Sequence, residues 1–160
     1  MYWSAASLGD GTKLTLSLLF DLKLPATRLA VLSACETGVP GIKLPDEVVS
    51  LPAGLLQIGV AGIVASLWAV NDLSTARLME RFYQAWLTEK LSPASALCQA
   101  QRWLRDVTRQ ELGEYYASFI RRMPPAEAQL ARASIILGGE PGDRPYNHPY
   151  YWAAFTFTGA

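Results

Sequence analysis

Two short apolar runs constrain this chain more than anything else in it. Leu29 to Leu32 and Gly62 to Trp68 (with Ile63, Val64 and Leu67) have strand length and no polar face. A strand that is apolar on both faces belongs in a sheet covered by helices on both sides. The first run stops at Ser33-Ala34-Cys35-Glu36-Thr37-Gly38, the second at Ala69-Val70-Asn71-Asp72. Ligands of open α/β sheets bind outside the carboxyl ends of the strands. Cys35 and Asp72 therefore stand where such a site is built. Position alone leaves two readings of Cys35 open: a reactive thiol and a small buried cysteine.

Around these runs the pattern alternates. Residues 1–13 are weakly patterned, with a turn signal at Asp10-Gly11. Thr15 to Leu22 suits a short helix ended by Pro25. Residues 38–47 form a loop, and a helix then runs to Ile58 with Gly59 as its stop. After the second strand, Ser74 is the expected cap of a helix with apolar residues at Leu78, Met79, Phe82, Tyr83, Trp86 and Leu87. Ser92-Pro93 opens another helix, with Leu97, Ala100, Trp103, Leu104 and Val107 on one face and Cys98 expected to pack. Further helices are expected over 111–122 and 126–136, then a turn-rich loop, then a strand from Tyr150 to Thr158. This order is α/β with a parallel core. Three strands are few for such a sheet, so upstream strands are expected from elsewhere.

Composition narrows the function classes. Hydrophobic residues make up 51% of the 160, which argues against disorder. Fourteen basic and fourteen acidic residues cancel, leaving no electrostatic footprint for nucleic acid or an anionic membrane. The most apolar segment, Leu55 to Val70, is shorter than the roughly 20 residues of a membrane helix and reads as core. Two cysteines make no disulfide framework, which fits a reducing, cytoplasmic setting. No Gly-rich phosphate loop follows a strand and no His/Cys cluster has zinc spacing, so no cofactor or metal is expected.

Three segments in order, LAVLSACETG (29–38), GVAGIVASLWAVND (59–72) and HPYYWAAFTFTG (148–159), resemble the C-terminal half of a CHAT domain. The linking helices STARLMERFYQAWL (74–87) and SPASALCQAQRWL (92–104) are similar too, so the resemblance covers the chain from about Asp10 onward. CHAT domains are caspase-like cysteine peptidase modules related to separases and caspases, often found behind tetratricopeptide repeats in bacterial proteins. The resemblance implies a caspase-like three-layer sandwich, a mainly parallel sheet flanked by helices, with its N-terminal strands missing. It reads residues 1–160 as a partial CHAT domain, the portion that bears the nucleophile.

The resemblance assigns the nucleophile to Cys35. The family's general base is a histidine ending the preceding parallel strand, and none of the 34 residues before Cys35 is histidine. The base is thus expected upstream of this chain, which alone would be inactive. His148, the one histidine, belongs to the HPYYW segment and is expected to pack or hydrogen bond at the start of the last strand. In separase-like peptidases an acid at the position of Asp72 holds a basic side chain before the scissile bond. Asp72 also suits a helix N-terminus, and the two roles are compatible. The expected partners are a protein or peptide substrate and a tetratricopeptide-repeat region or upstream fragment that supplies the histidine. The competing reading is a non-catalytic interaction module, a pseudo-peptidase remnant.

Overall fold

The computed structural model describes residues 6–7, 13–14, 26–32, 51–121, 124–126, 128–129 and 139–159. Strands β1 (Ala6–Ser7) and β2 (Lys13–Leu14) pair antiparallel, across the interval that holds Asp10-Gly11. The main sheet contains β3 (Ala30–Leu32), β4 (Gly62–Ser66) and β5 (Phe155–Gly159), in that order. β3 runs parallel to β4, with Leu32 opposite Ala65. β5 runs antiparallel to β4, with Ser66 opposite Phe155. The described sheet is therefore mixed, and its one parallel pair is formed by the two apolar runs.

The two-faced strands are covered as their sequence demands. Every residue of β4 is buried. Val64 joins the larger core with Leu78, Phe82, Leu97, Leu104 and Phe155. Its neighbours Ile63 and Ala65 point the other way, into a smaller core with Leu55 and Val60. That smaller core is made by α1 (Leu51–Gln57), which packs on β4. Gly59 ends the segment as expected. Its φ of 100° is left-handed, and the Gly59 and Val60 N–H groups return to Leu56 O and Leu55 O, at 3.1 Å each. β3 is half-buried, with Val31 on the larger core and Ala30 and Leu32 on the smaller one. Among the described residues it stands at one edge of the sheet.

The opposite layer is helical. α2 (Asp72–Tyr83) buries Leu78 and Phe82 completely, each worth about 1.5–3 kcal/mol of transfer free energy. It runs into one π-helical turn, Gln84–Thr88, and Glu89 N bonds Gln84 O at 3.2 Å. A π turn adds a residue per turn and shifts the phase of the stripe. Ala85 is consequently buried while Leu87, expected on the apolar face, is 52% exposed. α3 (Pro93–Asp106) starts as its sequence predicts, with the Ser92 side chain accepting Ser95 N and Pro93 in the first turn. Cys98 is exposed, against the expected packing role. One residue past buried Leu97, it has turned about 100° off the face of Ala96, Leu97, Ala100 and Leu104.

α4 (Arg109–Ile120) opens with a capping box: Glu111 N donates to Thr108 Oγ1 at 3.2 Å, and Thr108 N donates to Glu111 Oε2 at 2.8 Å. The next helical residues are 125–126 and 128–129, at the start of the stretch expected over 126–136. The end of the chain departs from expectation. Tyr150 to Trp152 are not strand but part of a four-residue helix, α5 (Pro149–Trp152). The His148 side chain caps it and Pro149 occupies its first turn, a helix-start signature that outweighs the aromatic alternation.

Candidate functional site

The parallel pairing of β3 and β4 fixes where a site is built. Leu32 and Ala65 are level, so the chain leaves both strands at the same end of the sheet. Cys35 lies three residues beyond Leu32 in the sequence and falls outside the described residues. Beyond β4, the segment from Leu67 to Asp72 is described in full.

This segment is exposed and tied at a few points. Leu67 N donates to Ala154 O at 2.7 Å, which carries the β4–β5 pairing one step past the strand. The Leu67 side chain is 42% exposed and that of Leu73 49%. The Trp68 indole Nε1 donates to Tyr150 O at 3.2 Å. Asn71 then caps α2: its Oδ1 accepts Ser74 N at 3.1 Å, and Ser74 Oγ donates to Asn71 O at 3.0 Å. The cap is Asn71 rather than Ser74, because Asn71 keeps an extended backbone (φ −78°, ψ 128°) while Ser74 is already helical and buried. Asp72 is exposed in the first turn of α2, where a carboxylate meets the positive end of the helix dipole.

His148 is occupied structurally. Its Nδ1 accepts Tyr150 N at 3.2 Å, so the ring caps α5 instead of starting a strand. Trp152 Nε1 adds a bond to Asn147 O at 3.1 Å.

Sequence reasoning missed the group beneath α2. Arg77 is 7% exposed and donates through Nη1 to the Tyr146 hydroxyl. Its guanidinium lies 5.1 Å from the centre of the Tyr146 ring and 5.6 Å from that of Tyr116, within cation–π range. It makes no ion pair among the described residues. Tyr116 donates its hydroxyl to Glu80 Oε2 at 2.7 Å. Burial pushes the Tyr146 phenol above its ordinary range, against the pull of Arg77. Burial, with the Glu80 hydrogen bond, does the same to Tyr116. The sequence signal was a charge inside an apolar stripe: Arg77 shares the buried face of Ser74, Leu78 and Phe82.

Among the described residues no group of three or more His, Cys, Asp or Glu is arranged to hold a metal ion. Among the same residues no helix is long and apolar enough to cross a membrane.

The fold is α/β, a mixed sheet with helices on both faces. The family model for the CHAT domain matches residues 3–160, and this chain belongs to that family. Comparison with curated proteins and with solved structures finds no match.

Proposed function

We propose that the chain is the nucleophile-bearing part of a caspase- and separase-like cysteine endopeptidase that cuts proteins or peptides after a basic residue. Cys35 is the nucleophile, Asp72 holds the basic side chain, and the general base is a histidine outside these 160 residues. The observation that supports this reading best is the parallel β3–β4 pair, which sends the segments after Leu32 and Ser66 out at one end of the sheet. Membership of the CHAT family over residues 3–160 supports the same reading.

In this reading the Cys35 thiolate attacks the peptide carbonyl carbon. The proton given up by the thiol to form that thiolate is held by the histidine and passes to the departing amine as the C–N bond breaks, leaving a thioester that water hydrolyses. A free thiol with a pKa of about 8.5 is only a few per cent thiolate at neutral pH, so the histidine partner is needed. Backbone N–H groups at the strand end, that of Cys35 among them, hold the oxyanion. The setting is cytoplasmic, and a tetratricopeptide-repeat region or upstream fragment supplies the missing strand.

A second reading, a non-catalytic interaction module, draws on His148. The only histidine in the sequence is engaged with Tyr150 N and caps α5. Imidazole in solution, standing in for the absent base, separates the two. Cleavage of arginyl and lysyl peptide amides that appears with imidazole and vanishes in Cys35→Ala supports the peptidase. Peptide binding with no Cys35-dependent cleavage under any condition supports the module.

A further inference from the structure

The segment from Tyr146 to Trp152 touches the neighbourhood of Asp72 from both sides. Before Asp72, the Trp68 indole donates to Tyr150 O at 3.2 Å. After it, buried Arg77 donates to the Tyr146 hydroxyl and lies over its ring. The segment is stiff between these two points. His148 and Pro149 start a helix in it, Trp152 Nε1 bonds Asn147 O, and the Tyr146 and Tyr151 rings meet edge to face at 5.4 Å. α5 packs on both α2 and α3.

The geometry points to a buttress: residues 146–152 bracket Asp72, held to the chain before it through Trp68 and to α2 after it through Arg77, which makes Arg77 and Trp68 positioning residues for the carboxylate of Asp72. The inference rests on the reading of Asp72 as the group that holds a basic side chain. Its force comes from burial. Arg77 has no ion-pair partner among the described residues, so the Tyr146 hydroxyl is the acceptor its N–H group has. Removing that hydroxyl leaves a buried cationic N–H unpaired, a state that proteins relieve by letting the site open to water. The first turns of α2, which carry Asp72, then lose their tie to residues 146–152.

Amide hydrogen exchange on Tyr146→Phe and Trp68→Phe tests this. The reporters are the amides of Leu67, Ser74 and Thr75, which bond Ala154 O, Asn71 Oδ1 and Asn71 O. The control is the Ala61 amide, bonded to Thr27 O on the far side of β4. Tyr146→Phe is expected to raise exchange at the reporters about tenfold more than at Ala61, the size of one lost buried hydrogen bond, and Trp68→Phe, which loses an exposed bond, to raise it in the same sense by less. Equal changes at reporters and control, or none, overturn the buttress. A second arm titrates a short peptide with one arginine, and its alanine twin, against the same proteins. An arginine preference in the unmodified chain that falls in both variants is expected. A preference that both variants keep unchanged overturns the positioning role alone. No preference in the unmodified chain overturns the reading of Asp72 and the positioning role with it.

Discussion

Asn71 Oδ1 accepts the Ser74 backbone N–H at 3.1 Å, and the Ser74 hydroxyl answers with a 3.0 Å bond to the Asn71 carbonyl. The pair closes the first turn of α2 directly beside Asp72. Asn71→Ala removes the acceptor and is expected to cost about 1 kcal/mol in chemical denaturation, while Asn71→Asp keeps most of that stability.

β5 lies close against β4 at the end of their antiparallel ladder, where Gly62 stands opposite Gly159, and the two glycines allow it. Gly159 has φ 146°, and a Cβ there would run into the Ala61 carbonyl oxygen. A Cβ on Gly62 would come within 2.7 Å of the Phe157 ring. Gly159→Ala meets backbone and strained φ together and is expected to cost roughly 1–3 kcal/mol. Gly62→Ala meets a ring that can turn aside and should cost less. Thermal unfolding of the two variants side by side gives the order.

His148 caps a helix, so its loss is a matter of stability. His148→Ala should lower stability by up to about 1 kcal/mol, the range of a lost cap. It should leave the alkylation rate of Cys35 unchanged, since the imidazole is engaged at Tyr150 N. A fall in that rate with the fold intact would make His148 the base after all.

The capping box of α4 makes stability depend on pH. Hydrogen bonds from the Thr108 backbone N–H and hydroxyl hold the Glu111 carboxyl below its ordinary range. The unfolded chain therefore binds this proton at higher pH than the folded one. The contribution is complete above the unfolded carboxyl pKa, about 4.3, and is lost as pH falls through the depressed folded value. Glu111→Gln should flatten that part of the acid limb when melting temperatures are followed from neutral pH downward.

How much of this was legible in the sequence differs by element. The β3 and β4 runs, the Gly59 stop and the Ser92-Pro93 start follow from local chemistry, and each sits where its residues put it. α5 was hidden because Tyr150 to Trp152 alternate like a strand, while the deciding signal was the His148-Pro149 cap. Leu87 was misplaced by a π turn, which no 3.6-residue period anticipates. Cys98 fell just off a face that the eye extends too far. At the site, Asp72 is exposed in the first turn of α2, and Cys35 lies outside the described residues. Arg77 and Tyr146 are 69 positions apart, so their contact is tertiary and no local pattern announces it.

The central claim is that Cys35 and Asp72 serve one substrate. Alkylation by an arginyl and an alanyl peptide chloromethyl ketone measures it, in a Cys98→Ser background because Cys98 is exposed and would react too. The account predicts that the arginyl reagent modifies Cys35 about two- to fivefold faster, the value of one exposed ion pair, and that Asp72→Ala erases the difference. Equal rates with the two reagents, or a preference that survives Asp72→Ala, would contradict it.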